Sequence, residues 1–167
     1  LPLLVTLRPA WEGGGWSGSE DDRIAILRDA ALGGADYIDI EFKAYKDFDR
    51  GTAKLVLSYH DFEKTPPTLE SMALKMDAMG PDLVKIAVLA RSTADVIAAV
   101  SHQKRMERPS AVIPMGDFGE PVRILYRRYG GFLTYAAVDA AHATAPGQLT
   151  VAELVHDYRV KAVDDDT

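Results

Sequence analysis

The amino-acid sequence predicts an α/β fold in which parallel β-strands alternate with α-helices. Short apolar runs of strand length recur six times, and the segments between them have helical periodicity with recognisable ends. This alternation favours parallel pairing and right-handed crossovers, which leaves an open doubly wound sheet or a closed (β/α)8 barrel. The predicted strands span residues 3–7, 37–42, 54–59, 83–89, 111–115 and 132–138.

Three predicted helices begin with a capping box, in which a serine or threonine and an acidic residue three positions later satisfy free backbone N–H groups. The pairs are Ser19 with Asp22, Ser92 with Asp95, and Thr150 with Glu153. The first helix is expected to end at Gly33-Gly34, and another to run from about Thr68 to Met79. Residues 43–53 have room for no more than a short helix.

The composition indicates a globular chain, since 47% of the 167 residues are hydrophobic and 26% are charged. A net charge of −6 gives no basic field for a nucleic-acid backbone, so we expect no nucleic-acid partner. No apolar run approaches the roughly 18 residues of a membrane-spanning helix. The absence of cysteine excludes disulfides and thiolate chemistry and is compatible with a cytoplasmic location. We expect one domain over residues 1–162 and an acidic tail over residues 163–167.

Polar side chains recur near the ends of the first four strands. They are Thr6 and Arg8, Asp39 and Glu41, Ser58 and His60, and Lys85. Side chains on a strand alternate between faces, so the members of each pair point the same way. With Leu7, Ile40 and Tyr59 facing the helices, the polar residues are expected to converge on the interior of a barrel, where active sites lie at the strand ends.

Lys85 and His60 are the candidates for chemistry. A desolvated lysine near another cation such as Arg8 has a lowered pKa and can attack a carbonyl to form an imine, although a lysine in a strand is also compatible with an ion-paired core residue. His60 suits a proton shuttle beside such an amine, and otherwise a hydrogen-bonded structural histidine.

Three further features have competing interpretations. Asp39 and Glu41 show no metal-ligand spacing, so no metal is expected, and salt bridges that orient the arginine, histidine and lysine are preferred. The glycines at residues 13–15 lack phosphate-loop spacing and indicate flexibility or close approach to a ligand. Arg123 suits either a helix surface or a bidentate clamp on a substrate carboxylate.

From residue 1 to about residue 158 the chain resembles the type I 3-dehydroquinate dehydratases. The matching stretches are Leu4-Val5-Thr6-Leu7-Arg8-Pro9, Trp11-Glu12-Gly13-Gly14, Ala35-Asp36-Tyr37-Ile38-Asp39-Ile40-Glu41, Ser58-Tyr59-His60-Asp61-Phe62-Glu63-Lys64-Thr65-Pro66, Asp82-Leu83-Val84-Lys85-Ile86-Ala87 and Thr144-Ala145-Pro146-Gly147-Gln148. The resemblance implies a TIM (β/α)8 barrel that converts 3-dehydroquinate to 3-dehydroshikimate and water in the shikimate pathway, without a cofactor.

The same resemblance implies residue roles. Lys85 condenses with the C3 ketone, and His60 removes the C2 proton and protonates the departing C1 hydroxyl, with Glu12 beside it. Substrate binding falls to Arg8 near the ring hydroxyls. To this we add Asp39 and Glu41, which the strand pattern rather than the resemblance places at the site through salt bridges. The expected cavity-lining partners are Arg123 and Gln148 at the substrate carboxylate, Thr144 at a position usually occupied by serine, and Met115.

Relative to this family, the chain lacks the first two βα units, so about six of eight strands are expected. Two sheet edges are then left unpaired and the activity of the chain by itself is in question. Plant-type relatives continue into a shikimate dehydrogenase, so the parent protein is expected to be able to carry such a fusion. A homodimer is the other partner arrangement expected. The alternatives are a class I aldolase, which the missing phosphate-binding glycine motif disfavours, and a non-catalytic relative that binds quinate-like ligands.

Overall fold

The computed structural model describes residues 1–163, and its centre is one parallel sheet of five strands. The strands follow the chain order without exchange, and all four pairings are parallel. In order they are β1 (Leu4–Thr6), β2 (Tyr37–Glu41), β3 (Lys54–Asp61), β4 (Leu83–Leu89) and β5 (Ser110–Met115). Sequential strands that lie side by side, each reached through a crossover, match the predicted β-then-α repeat.

Helices cover one face of this sheet. They are α1 (Glu20–Leu32), α2 (Leu69–Ala78), α3 (Thr93–Val100) and the short α4 (Glu120–Ile124). The predicted caps form: the hydroxyl oxygens of Ser19, Ser92 and Thr150 accept hydrogen bonds from the backbone N–H groups three residues later. Residues 43–53 contain no helix, as their small number predicts.

Side chains alternate strictly between the two faces of the strands. Ile38, Ile40 and Leu55 pack with α1, whereas Leu57, Val84 and Ile86 belong to a second apolar cluster with α2 and α3. The opposite face carries the polar residues. Because Glu41 pairs with Ser58 and Ser58 with Lys85, three polar side chains stand in one row across β2, β3 and β4. The predicted alternation is confirmed.

The expected sixth strand at residues 132–138 is not formed. The N–H of Phe132 donates to the carbonyl of Ser110 on β5 at 2.8 Å, but Ala137 then exchanges hydrogen bonds with Leu149 and Val151 instead. A ladder requires successive bonds to the same strand. The apolar run therefore forms an irregular segment that leaves β5, and the described sheet has five strands rather than six.

Both edges of the described sheet carry exposed apolar residues. Leu3 next to β1 is 55% exposed, as is Phe132 beside β5. Among the described helices, none is long and apolar enough to cross a membrane. Of the predicted acidic tail, residues 164–167 lie outside the described part of the chain.

Candidate active site

A cavity of about 500 Å³ opens at the carboxyl ends of the strands. Of the ten residues to which a catalytic or substrate-binding role was given from the sequence, seven line it: Arg8, His60, Lys85, Met115, Arg123, Thr144 and Gln148. The other three, Glu12, Asp39 and Glu41, lie behind this wall and are at most 3% exposed. The alternation of side chains on parallel strands thus brings residues from distant parts of the sequence to one site.

Arg8 is held in a fixed orientation by two buried carboxylates. One guanidinium nitrogen, Nη1, donates to Glu41 Oε1 at 2.6 Å and to Ser58 Oγ at 2.7 Å, while Nη2 donates to Asp39 Oδ2 at 2.7 Å. Buried carboxylates are tolerated only when they are paired. Asp39 and Glu41 do not line the cavity, so within the described structure they contact Arg8 and not the space for a ligand.

Lys85 points from the middle of β4 into the cavity and is 8% exposed. Its Nζ donates to Asp39 Oδ2 at 3.0 Å. Burial lowers the pKa of Lys85, with Arg8 adding to the effect and Asp39 opposing it. Although burial alone would raise it, Lys85 and Arg8 hold the pKa of Asp39 well below its usual range. The site therefore contains an amine with an increased neutral fraction beside a permanent carboxylate.

His60 lies at the end of β3 with its Nδ1 atom 3.0 Å from Glu12 Oε2. Burial, reinforced by the charges of Lys85 and Arg8, lowers the pKa of His60 to about 2, so its imidazole is neutral at physiological pH. Burial raises the pKa of Glu12 to about 8. Since Nδ1 is engaged by Glu12, Nε2 is the ring nitrogen left for a ligand. The partner that orients the histidine is Glu12, not Asp39 or Glu41.

Close backbone packing brings Glu12 under His60. Glu12 ends a single 3-10 turn, Ala10–Glu12, and Gly13 follows with φ +79°, a conformation that favours glycine. A Cβ atom on Gly14 would overlap the backbone carbonyl of Arg8. The glycine run therefore permits a tight return of the loop over Arg8, a role that was not among the interpretations drawn from the sequence.

Arg123 and Gln148 form the opposite wall of the cavity. Arg123 is 2% exposed, and its Nε has no hydrogen-bond partner among residues 1–163. Burial lowers the pKa of Arg123 to about 10, so the guanidinium is still charged at neutral pH. Gln148 Oε1 accepts from the N–H and the hydroxyl of Thr144, which leaves the amide NH2 group of Gln148 to donate. These groups suit an anion.

Two residues of the site were missed from the sequence. Arg23 on α1 is fully buried, and its Nη1 lies 2.6 Å from Glu41 Oε2. Its spacing of four from Leu27, on the buried face of α1, was the available signal. Tyr135, in the irregular segment after β5, places its ring centroid 4.4 Å from Lys85 Nζ. No local pattern marks that contact, because it depends on a departure from the expected strand.

The fold and the site define an α/β protein with a buried lysine in a cavity at the carboxyl ends of parallel strands. Residues 1–165 match the family model described as type I 3-dehydroquinase. The chain belongs to this family. The expected fold class, a (β/α)8 barrel of which this chain forms part, is confirmed. Family membership also favours the dehydratase over the aldolase interpretation.

Similar proteins differ in how much of their length the chain spans. A bifunctional 3-dehydroquinate dehydratase/shikimate dehydrogenase of Arabidopsis thaliana, chloroplastic, is 35% identical over all of this chain, which covers 29% of that protein. A 3-dehydroquinate dehydratase of Desulfotalea psychrophila is 37% identical, with 91% of this chain and 73% of that protein covered. Fusion to a shikimate dehydrogenase thus occurs among relatives.

Solved structures of 3-dehydroquinate dehydratases superpose on this chain over most of its length. The 3-dehydroquinate dehydratase of Aquifex aeolicus superposes with a TM-score of 0.79 at 31% identity, covering 97% of this chain and 74% of that one. A type I enzyme of Clostridium difficile, solved with covalently modified comenic acid, gives a TM-score of 0.81 at 28% identity, covering 96% and 68%.

Proposed function

We propose that this chain carries the catalytic centre of a Schiff-base-forming 3-dehydroquinate dehydratase, with Lys85 as the nucleophile. The observation that carries the proposal is the position of the Lys85 amine. It lies in the cavity that Arg8, His60 and Arg123 also line. A buried amine beside a fixed carboxylate, opposite a guanidinium that has no carboxylate partner among the described residues, suits a substrate that has both a ketone and a carboxylate.

The first step is imine formation. Lys85 loses a proton, its nitrogen attacks the C3 carbonyl carbon, and the carbonyl oxygen leaves as water to give a cationic iminium. Burial, which lowers the pKa of Lys85, supports this step because it increases the fraction of free amine. Asp39, 3.0 Å away, can accept a hydrogen bond from the N–H that the iminium retains.

The second step is removal of the C2 proton, which the iminium acidifies. His60 is neutral and its Nε2 is available, so it can accept this proton whenever Nδ1 carries the hydrogen that Glu12 accepts. The imidazolium then donates the proton to the C1 hydroxyl, which departs as water and leaves a C1=C2 double bond. Hydrolysis of the iminium releases 3-dehydroshikimate and restores Lys85.

Binding of the substrate carboxylate completes the assignment. We assign this role to Arg123 and Gln148, which line the cavity: among the described residues the guanidinium of Arg123 donates only to the carbonyl of Pro146, at 3.3 Å, and the amide NH2 group of Gln148 is left to donate. A charge-assisted bond to a guanidinium is the strong form of carboxylate recognition. Thr144 supports Gln148 from behind, and Met115 contributes an apolar wall.

The test is chemical trapping. The chain is incubated with 3-dehydroquinate, reduced with borohydride, digested, and analysed by mass spectrometry for a substrate-derived adduct. We expect the adduct on Lys85, its loss in Lys85→Met, and its retention in Lys75→Met, which replaces an exposed lysine of α2. A wild-type chain that binds 3-dehydroquinate without forming an adduct would support a non-catalytic, ligand-binding role and overturn the proposal.

Two broader expectations accompany this proposal. We place the protein in the cytoplasm, supported by a composition without cysteine. We also propose a homodimer, supported by the exposed apolar residues at both sheet edges. Sedimentation velocity tests the second, and a monomer at micromolar concentration contradicts it.

A further inference from the structure

Tyr135 has a fixed position although its segment is irregular. Phe132 is bonded to Ser110 and Ala137 to Leu149, at 2.8 and 2.9 Å, so the backbone is anchored on both sides of the tyrosine. The ring packs on an apolar cluster formed by Ala87, Ile113 and Met115. Tyr135 therefore projects from an anchored backbone, and its ring lines the cavity.

The ring of Tyr135 covers the amine of Lys85. Its centroid lies 4.4 Å from Lys85 Nζ, inside the roughly 6 Å range over which an aromatic face attracts a cation. The carboxylate of Asp39 lies 3.0 Å from the same nitrogen. The nitrogen thus has two separate sources of stabilisation for a positive charge, a carboxylate and an aromatic face.

The hydroxyl group of Tyr135 does not account for this placement. It is buried and has no hydrogen-bond partner among the described residues. A buried hydroxyl without a partner is unfavourable. Besides its packing on the apolar cluster, the contact that places Tyr135 next to a charged group is the one between its ring and Lys85.

We propose that Tyr135 stabilises the positive charge at Lys85 through its ring face, first on the ammonium and then on the iminium formed with substrate. The second half of this proposal rests on the proposed function, whereas the first half does not. The positive charge on Lys85 is then stabilised by two residues, Asp39 and Tyr135. Of these two, the sequence pointed only to Asp39.

An aromatic face suits this role because its attraction to a cation does not depend on one particular hydrogen. The ammonium has three N–H groups, and the iminium retains one while its charge spreads toward the substrate carbon. The hydrogen bond to Asp39 therefore depends, in the iminium, on the direction of the one N–H that remains. Attraction to the ring quadrupole persists as long as the positive charge stays above the ring.

The charge of Lys85 can be measured without substrate. The ionisable groups that face it come from several elements: Arg8 after β1, Asp39 and Glu41 on β2, and His60 on β3. Tyr135→Leu leaves all of these in place and keeps an apolar side chain over the amine. Loss of the ring then destabilises the ammonium, and we expect the pKa of Lys85 to fall by about one unit, a tenfold change.

Acetic anhydride, which acetylates an amine only in its neutral form, provides this measurement. The labelling rate of the Lys85 peptide is followed against pH by mass spectrometry for the wild type, Tyr135→Leu and Tyr135→Phe. Phe132→Leu, which removes an exposed aromatic residue from the same segment, is the matched control. We expect the lower midpoint in Tyr135→Leu, and the wild-type midpoint in Tyr135→Phe and Phe132→Leu.

Other outcomes overturn the proposal. If the pH midpoint of Lys85 labelling is unchanged or raised in Tyr135→Leu, the ring does not stabilise the ammonium. If the midpoint is lowered in Tyr135→Phe, the stabilisation comes from the hydroxyl group and not from the ring. Tyr135→Met, with a flexible side chain and no ring, is measured in the same way if Tyr135→Leu does not fold.

Borohydride trapping with 3-dehydroquinate, carried out at a pH above the labelling midpoints so that the resting Lys85 amine is neutral in every variant, then tests the iminium half. We expect Tyr135→Leu to need about tenfold more substrate for half-maximal trapping, and Tyr135→Phe to restore trapping at the wild-type concentration. Equal trapping in the wild type and Tyr135→Leu contradicts this half. If the wild type forms no adduct, the proposed function and this half fail together, while the labelling result still decides the role of Tyr135 at the ammonium.

Discussion

Glu12 Oε2 lies 3.0 Å from His60 Nδ1, and both side chains are screened from solvent. This contact links the protonation of a carboxyl group to the tautomer of the imidazole. An ionised Glu12 accepts a hydrogen bond from Nδ1–H and leaves Nε2 free to act as a base. A protonated Glu12 donates to Nδ1, which leaves the hydrogen on Nε2. The state of Glu12 therefore decides whether His60 presents a base or a donor to the cavity.

The first prediction concerns Glu12 and the pH dependence of stability. Burial raises its pKa from 4.5 to about 8, so the folded chain disfavours the carboxylate. The stability that this group contributes is fully present below about pH 4.5 and is lost as the pH rises through about 8. The free energy of unfolding of Glu12→Gln, relative to that of the wild type, should be higher at pH 9 than at pH 4 by roughly 2–4 kcal/mol. Urea unfolding at pH 4 and at pH 9 measures this difference, with the exposed Glu63→Gln as control. Parallel pH profiles of Glu12→Gln and the wild type would contradict it.

The second prediction concerns Asp39, whose carboxylate accepts hydrogen bonds from both Arg8 and Lys85. Asp39→Asn leaves two mostly buried cations without their shared carboxylate, so we expect a loss of about 3–5 kcal/mol at pH 7. The lowered pKa of Asp39 contributes stability above its unfolded value of 3.8, which is lost as the pH falls further. The difference between variant and wild type should therefore shrink below about pH 4. Urea unfolding tests this against Asp21→Asn on the surface of α1, and a loss no larger than that of the control would refute it.

The third prediction concerns Arg23, which supports the site from α1. Its guanidinium bonds to the carbonyl of Leu7 at 3.0 Å and lies 2.6 Å from Glu41, which in turn holds Arg8. Arg23→Met should cost about 3–5 kcal/mol, since it removes one of two cations from a fully buried carboxylate. Arg28→Met, half-exposed on the same helix, should cost less than about 1 kcal/mol. Equal unfolding free energies for the two variants would show that Arg8 alone compensates Glu41.

The strand pattern predicted the inner wall of the site well. Polar residues two positions apart on β2 and β3 were expected on one face, and Asp39, Glu41, Ser58 and His60 lie there. A period of two is a property of the strand backbone, so it is visible in the sequence without tertiary information. Strand ends and capping boxes are likewise local, and they were located to within a residue or two.

Contacts made by non-local packing were less visible. Residues 132–138 have the aliphatic content of a strand, yet hydrogen bonds to residues 149–151 replace most of the expected ladder with β5. Propensity does not reveal which neighbour a segment will pair with. Tyr135 was missed for this reason. Arg23 was missed because a buried cation on a helix is recognised only once its carboxylate partner is known.

The fourth prediction separates the binding role of Arg123 from its effect on stability. Its guanidinium is buried and its Nε is unpaired in the described structure, so its burial is unfavourable for folding. Arg123→Met should leave the free energy of unfolding unchanged or raise it by about 1 kcal/mol. The same variant should need at least about 30-fold more 3-dehydroquinate for half-maximal trapping, which corresponds to ~2 kcal/mol. Exposed Arg91→Gln is the control. Unaltered trapping in Arg123→Met would place the substrate carboxylate elsewhere.

The fifth prediction separates imine formation from proton transfer. His60→Ala keeps Lys85, Asp39 and Arg123, so borohydride should still trap some substrate on Lys85. Turnover should fall about 10²- to 10⁴-fold, the usual contribution of a positioned acid or base. Single-turnover trapping and product formation are measured on the same samples, with the exposed His156→Ala as control. Wild-type turnover in His60→Ala would remove the imidazole from the mechanism. Loss of trapping together with turnover would instead assign His60 to the formation of the imine, because a residue that acts only after the iminium cannot prevent its capture.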